Sequence, residues 1–313
     1  MNSVDAIKEI SLIIPVYNSE KNINHLLSEL IDILIKNFDT YEIILVDDNS
    51  DDNSWQNIKS ICKVNKFIKA VKLRKNVGQH NAIVAGLKYA EGKNIITMDD
   101  DGQNSPSFII KLVEEINKGF DVVYANYKIK KHNFFRKFGS YINNIVASFL
   151  FKKPLKIILT SFRCFNSEIK HEILKCKSSS IYLDGIIFSI TKNISSIEVE
   201  HKERLYGRSN YTFFKLFSLW TRMATGYSIM PLRLASVIGL FFSFTSFLIT
   251  IWFVFIRDMP SSVPAGWTSL IVVTFFLGGL QLLALGLIGE YIGKTYLTIN
   301  NNLQYSEKEN INI

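Results

Sequence analysis

The chain has 313 residues, 36 Lys and Arg against 28 Asp and Glu, a formal charge of +8, and 48% hydrophobic residues. That length suits one large domain with an appendage, and a mean hydropathy of +0.14 is high for a soluble protein. Cys62, Cys164 and Cys176 have no paired spacing, which excludes a disulfide scaffold and fits a reducing compartment.

Met1–Glu9 is short and polar, without an apolar h-region, so no cleavable secretory signal is expected. From there to residue 125, strand and helix patterns alternate. Ile10–Val16 is an apolar run that stops at Tyr17-Asn18, and Ile23–Ile35 carries apolar residues at helical spacing. Tyr41–Val46 is a second strand, ended by Asp47-Asp48-Asn49-Ser50. Ile68–Leu73 is a third, followed by Asn76-Val77-Gly78 and a helix through Tyr89. Asn94–Met98 is a fourth, ended by Asp99-Asp100-Asp101-Gly102. Short apolar strands alternating with helices predict an α/β domain with a mainly parallel sheet covered on both faces. In such sheets ligands bind at the carboxyl ends of the strands, where both acidic clusters lie.

Residues 128–231 change character. The basic residues Lys128, Lys130, Lys131, His132, Arg136 and Lys137 lead into an amphipathic stretch at 134–151, and a second, aromatic one runs over 211–230. Either these helices lie in a membrane interface or they pack on the sheet as ordinary surface helices; the second stretch favours the interface because it runs straight into apolar sequence. Leu232–Ile256 and Trp267–Ile292 are almost wholly apolar. At ~1.5 Å rise per residue, about 24 residues cover ~36 Å, enough for a ~30 Å hydrocarbon core. The loop between them, Arg257–Gly266, has no net charge, whereas Lys202, Arg204, Arg208, Lys215, Arg222 and Arg233 precede the first span and Lys294 follows the second. The positive-inside bias predicts a two-helix hairpin over 232–293 with the α/β domain and both termini in the cytoplasm. Residues 294–313 are expected to form a cytoplasmic tail, polar and loose after Asn300. A basic middle beside an apolar end favours an anionic membrane surface, and no nucleic-acid motif is present.

Asp99-Asp100-Asp101-Gly102-Gln103 is the sharpest chemical signal, an Asp-x-Asp directly after a buried strand. A diphosphate leaving group needs its charge neutralised, and a hard divalent cation held by carboxylates does that. A calcium loop is excluded by spacing, because the sixth position from Asp99 is Asn104 and the twelfth is Ile110. An Asp-rich turn remains the alternative. Asp48 offers an acceptor for a nucleobase N–H or a ribose hydroxyl, or else belongs to a polar turn. Asn76-Val77-Gly78 reads as a phosphate-cradling turn before a helix N-terminus. It is neither GxGxxG nor GxxxxGK[ST], which removes dehydrogenase and P-loop readings.

Taken in order, Pro15-Val16-Tyr17-Asn18, Val46-Asp47-Asp48-x-Ser50, Asn76-x-Gly78 and Met98-Asp99-x-Asp101-x-Gln103 resemble family 2 glycosyltransferases of GT-A fold. Ser161-Phe162-Arg163, Tyr182-Leu183-Asp184-Gly185, Arg204-x-x-Gly207-x-Ser209-x-Tyr211 and Leu287-Ile288-Gly289-Glu290-Tyr291-Ile292-Gly293 are similar to the polyprenyl-phosphate members. That group includes dolichol-phosphate mannose synthase, GtrB-type glucosyltransferases and the formamido-arabinose transferases of lipid A modification.

The resemblance implies a nucleotide sugar donor, UDP-linked, and a polyisoprenyl phosphate acceptor, undecaprenyl phosphate, at the bacterial inner membrane. It also implies a divalent metal, Mn²⁺ or Mg²⁺, and a homo-oligomer, a tetramer. Pro15, Tyr17, Glu20 and Asp48 would line the nucleotide pocket. Asp101 and Gln103 would hold the metal, with Asp99 beside it on nucleotide or sugar. Arg136, Arg204 and Ser209 would meet phosphates of acceptor or donor. Where some relatives carry an Arg on the lipid phosphate, this chain has Tyr127, with Lys128 and Lys130 alongside. Asp184 either orients a sugar hydroxyl, acts as a base or caps a helix. The competing reading is a family 2 enzyme with a glycan or glycolipid acceptor. A processive polysaccharide synthase is excluded, because it would carry Gln-x-x-Arg-Trp and more spans.

Overall fold

A computed structural model describes residues 8–127, 157–176, 181–199, 266–299 and 303–313, with positions 148 and 154 and part of 232–248. The chain divides into two compact units, Met1–Asn210 with Asn301–Ile313, and Tyr211–Asn300.

The first unit is built on one mixed eight-stranded sheet. In chain order its elements are β1 (Ile10–Val16), α1 (Ile23–Asn37), β2 (Tyr41–Asp47), α2 (Ser54–Val64), β3 (Ile68–Leu73), α3 (Gln79–Leu87), β4 (Asn94–Thr97) and α4 (Phe108–Ile116). β5 (Val122–Tyr127), β6 (Arg163–Asn166), α5 (Ser167–Lys175), α6 (Leu183–Ile190), β7 (Ile194–Val199) and, after the second unit, β8 (Glu307–Ile311) complete it. The spatial order is β7-β5-β6-β4-β1-β2-β3-β8. β1 pairs in parallel with β2 and β4, β2 with β3, and β5 with β7, whereas β6 and β8 run against their neighbours. The expected parallel frame is therefore present, with two reversed strands that apolar periodicity did not reveal.

Local chemistry explains the core elements. Every residue of β1 is buried, as expected of a strand covered on both faces. α1 buries Ile23, Leu26, Leu27, Leu30 and Leu34, one apolar stripe at a helical period. Gly92 lies where the chain passes β1 closely: a Cβ there would stand 2.5 Å from the Ser11 backbone nitrogen, so no larger residue fits without movement.

The tail corrects the sequence reading. The stretch expected to be loose after Asn300 contains a strand: Glu307–Ile311 pairs antiparallel with β3, Ala70 opposite Ile311 and Leu73 opposite Glu307. Its charges made it look like a free tail, yet they are the anchors. Glu309 pairs with Lys59 at 2.5 Å and accepts from Trp55 Nε1 at 3.1 Å, while Glu307 pairs with Lys88 at 3.1 Å and accepts from Tyr89 Oη at 2.5 Å.

In the second unit, α7 (Trp267–Ile299) runs past the expected end at Ile292. Within it Phe276–Gly293 is long and apolar enough to cross a membrane, and none of that window is buried. The described positions between Leu232 and Leu248 are helical, and the Phe242 ring meets Phe276 edge-on at 5.1 Å. The remainder of the expected first span, and the amphipathic stretches at 134–151 and 211–230 apart from Ser148, lie outside the described residues.

Candidate functional site

The parallel strands β1, β2 and β4 deliver three polar turns to one edge of the sheet. A cleft of about 440 Å³ opens there, lined by Pro15, Tyr17, Asp48, Asn76, Gly78, Gln79 and Asp99–Asp101 among others. Backbone shape accounts for the asparagines that end β1 and β2. Asn18 and Asn49 have φ of 54° and 58°, in the left-handed region that Asn tolerates best among non-glycine residues. The first two turns are stitched together. Asn18 N donates to Ser50 Oγ at 3.0 Å, Asp51 N to Asn18 Oδ1 at 2.9 Å, and Ser19 N to Ser54 Oγ at 2.8 Å. Tyr17, 47% exposed, is thereby presented to the cleft on a rigid loop.

Asp48 sits on the cleft wall with an unexpected partner. Its two carboxylate oxygens accept the N–H groups of Val77 at 2.7 Å and Gly78 at 2.8 Å. The Asn76-Val77-Gly78 turn, read from sequence as a phosphate cradle, therefore spends those two donors on a carboxylate. Gly78 at φ 84° makes the turn possible and starts α3. Burial raises the Asp48 pKa, the two N–H groups lower it, and neighbouring Asp47 raises it; the net shift is upward.

The three consecutive carboxylates divide their work. Asp99 accepts from Gln79 Nε2 on one oxygen and from Ser161 Oγ on the other. Asp100 turns back to the first loop, accepting from Ser19 Oγ and from Tyr17 N, the latter at 3.1 Å. Asp101 accepts the Gln103 N–H at 3.1 Å, which puts both expected metal ligands on one turn, with Asp101 in the cleft wall. Burial, opposed by its donors and reinforced by the carboxylates on either side, pushes Asp100 up to about 6. Burial likewise raises Asp99. This edge presents acceptors suited to sugar hydroxyls and base N–H groups, and like charge there opposes an anionic ligand that enters without a cation.

Other expected site residues fall elsewhere. Glu20 is outside the cleft lining; its carboxylate accepts from Asn53 N and Nδ2 at 3.3 and 3.1 Å, at the start of α2. Asp184, in the first turn of α6, is 5% exposed and forms a buried ion pair with Arg163. Tyr127 donates its hydroxyl to Asn104 Oδ1. Arg136, Arg204 and Ser209, with Lys128 and Lys130, lie outside the described residues. Sequence reasoning passed over Gln79 and Ser19, whose hydrogen bonds to Asp99 and Asp100 have no signature in residue spacing.

Comparison with known proteins agrees with this architecture. The family model described as glycosyl transferase family 2 matches residues 11–176. An undecaprenyl-phosphate 4-deoxy-4-formamido-L-arabinose transferase of Proteus mirabilis (strain HI4320) is 32% identical over 308 residues, covering 97% of this chain and 94% of its own. The protein of the same name from Serratia proteamaculans (strain 568) is 33% identical, again over 97% and 94%. Glucosyl-3-phosphoglycerate synthase from Mycobacterium tuberculosis, crystallised with Mn²⁺, uridine diphosphate and phosphoglyceric acid, superposes with a TM-score of 0.52. It has 16% identity, over 70% of this chain and 76% of its own, and shares the fold.

Proposed function

The chain belongs to glycosyl transferase family 2, and on that premise we propose that it moves a sugar from a UDP-linked donor to undecaprenyl phosphate at the cytoplasmic membrane face, with inversion. One observation carries the donor half: Tyr17, Asp48 and Asp99–Asp101 converge on a single cleft at the carboxyl edge of the sheet. Tyr17 offers a face for a base, and the crowded carboxylates suit a site that takes up a cation with its anionic ligand. A divalent metal fits this donor set. Among the described residues no group of three or more His, Cys, Asp or Glu is arranged around a metal. One or two carboxylates completed by substrate phosphates is a common way to hold Mg²⁺. Asp101 and Gln103 would hold the ion, which would neutralise charge on the departing diphosphate.

The acceptor half rests on the named relatives and on chemistry. A phosphate monoester with a second pKa near ~6 is already anionic at pH 7, so it attacks the anomeric carbon without a dedicated base. Asp184, locked to Arg163, is then not required as one. Attack opposite the leaving diphosphate inverts the centre, and the chain contributes alignment and a fixed electrostatic environment.

Strand order supports a two-span anchor. β8 belongs to the same sheet as β1–β7, which fits a reading in which the chain leaves and returns on one side of the membrane. On that reading it crosses an even number of times. A span within α7 requires a partner between residues 200 and 266, where the apolar run Leu232–Ile256 stands. The test of function is a donor screen: purified full-length protein in detergent, undecaprenyl phosphate, UDP- and GDP-linked sugars, and Mn²⁺ or Mg²⁺. Lipid-linked product with a UDP-sugar is expected. A preference for a glycan, a glycolipid headgroup or a water-soluble sugar as acceptor would overturn the lipid-phosphate reading.

A further inference from the structure

Beneath the cleft lies a buried polar cluster that the transfer chemistry does not use. Arg163 on β6 is 1% exposed and stands between Thr97 of β4 and Tyr124 of β5, its direct cross-strand partners. Its Nη1 pairs with Asp184, its Nε donates to Thr97 Oγ1 at 3.2 Å, and its guanidinium lies 5.7 Å from the centre of the Tyr124 ring. Tyr124 Oη donates to the same Asp184 oxygen at 2.8 Å. As a stability device this is a poor choice, because the desolvation of a buried pair offsets most of its attraction and apolar residues of equal volume would serve as well.

The cluster does have an outlet. Thr97 accepts from Arg163 and in turn donates its own hydroxyl proton to the Ser161 carbonyl at 2.6 Å, and Ser161 Oγ donates to Asp99. The antiparallel sense of β6 makes this possible, since it brings Ser161 to the carboxyl edge where Asp99 stands. Thr160 Oγ1 to Ala125 O and Ala125 N to Phe162 O, both at 3.0 Å, hold the segment from the other side. The second Asp99 oxygen is held by Gln79, and the next residue, His80, leads back to the same helix. His80 Nδ1 accepts Leu183 N at 3.5 Å, and its ring packs edge-on against Tyr182 at 5.1 Å. Both donors to Asp99 are thus tied to the N-terminus of α6.

We propose that Arg163 and Asp184 are positioning residues for Asp99, acting through Thr97 and Ser161 to aim its carboxylate at the donor. The relay fixes an acceptor in the cleft wall before the nucleotide sugar arrives, which is where preorganisation contributes to rate. The inference rests on the donor reading of the cleft and is independent of which acceptor is used.

The test is a double-mutant cycle on the full-length protein with Ser161→Ala, Thr97→Val and the pair, and with Arg163→Lys as a conservative variant. Readouts are kcat and KM for the nucleotide sugar, Kd for UDP with Mn²⁺ by calorimetry, and the thermal midpoint. Ser161→Ala removes one half-buried hydroxyl and should leave the midpoint within about 1 °C while lowering kcat about tenfold. Thr97→Val should lower kcat by a similar factor, and the pair should fall no more than about twofold below the worse single variant, because both cut the same relay. Arg163→Lys, keeping the charge, should retain more kcat than Arg163→Met. Additive losses of about a hundredfold in the pair, or unchanged kcat in Ser161→Ala, would overturn the relay. If wild-type protein transferred no sugar to undecaprenyl phosphate, the acceptor reading would fall instead, and the same cycle scored on acceptor-independent hydrolysis of the nucleotide sugar would still decide the relay.

Discussion

Asn312 gives the tail its most exacting test. Its Nδ2 donates to the carbonyls of Cys62 at 2.9 Å and Ile68 at 2.8 Å, with a longer contact of 3.4 Å to Asn65. Cys62 O is one of the last carbonyls of α2, with no partner inside the helix, and Ile68 opens β3. One side chain therefore closes α2, starts β3 and ends β8. Its φ of 59° is left-handed. Losing two such hydrogen bonds should cost roughly 1–3 kcal/mol. Placing Ala in the left-handed region adds about 1 kcal/mol. Asn312→Ala should then destabilise by about 2–4 kcal/mol, and Asn312→Gly, which accepts that φ, by about 1 kcal/mol less. For a domain of this size the larger loss lowers the midpoint by on the order of 10 °C. Tryptophan fluorescence follows it, since Trp55 is hydrogen-bonded to Glu309 in the same strand, and amide exchange over Ile68–Leu73 should accelerate. An Asn312→Ala midpoint within 1 °C of wild type would refute the clasp, and equal midpoints for Ala and Gly would refute the conformational part of the cost.

Asp101→Asn should lower transfer on the order of a thousandfold with Mn²⁺ or Mg²⁺, since a charged ligand on the leaving group's cation is lost; full wild-type activity in chelator would contradict the assignment. A label at Ser262, between the two apolar runs, should be reached from outside intact cells and one at the C-terminus should not; the reverse pattern would overturn the topology. Glu42, fully buried, pairs with Lys8 at 2.8 Å and Lys69 at 2.9 Å. Burial alone would raise its pKa, but the Glu91 N–H, Lys8, Ser11 and Lys69 together lower it below the ordinary 4.5. A lowered carboxylate stabilises the fold above its unfolded pKa and ceases to as pH falls through the folded one. Glu42→Gln should therefore cost about 3–5 kcal/mol at pH 7, and the deficit should shrink below about pH 4.5 in denaturant titrations. A deficit independent of pH would show that the charge is not what Glu42 contributes.

The first four strands and α1 were legible because each is an apolar run or stripe closed by residues that cannot continue it. Ile10–Val16 and Ile68–Leu73 match the expected spans, and Tyr41 and Asn94 are the expected first residues. The acidic turns were legible for the same reason, since strand ends in a parallel frame point to one edge. What stayed hidden depends on pairing across the chain. The β8 segment Glu-Lys-Glu-Asn-Ile has no apolar alternation; its glutamates meet Lys59 of α2 and Lys88 just after α3, more than two hundred residues earlier. Asp48, read as a nucleotide contact or a polar turn, and Asn76-Val77-Gly78, read as an anion cradle, meet each other: the carboxylate accepts two N–H groups of that turn while standing in the cleft wall. Asp184 was open between a sugar contact, a base and a helix cap, and only the fold brings it to Arg163.

Carboxylates at the two edges of the same sheet show why one edge is suited to bind and the other is not. At the amino edge, Glu42 on β2 is met by Lys8 and Lys69, with Lys170 Nζ close by on Ala90 O, and its pKa is lowered. That charge is satisfied within the chain, so the edge has no use for an ion. At the carboxyl edge, Asp99 and Asp100 are held by neutral donors, from Gln79, Ser161, Ser19 and the Tyr17 amide, and burial with mutual repulsion raises their pKa values. Neutral donors fix where a carboxylate points without cancelling its field. Among the described residues, Glu42 at the amino edge is therefore matched by two lysines, whereas the raised Asp99 and Asp100 at the carboxyl edge are oriented by neutral donors. On the proposed function, a cation arriving with a nucleotide diphosphate would relieve the repulsion among these carboxylates, so donor binding would draw on electrostatic strain already present in the free protein.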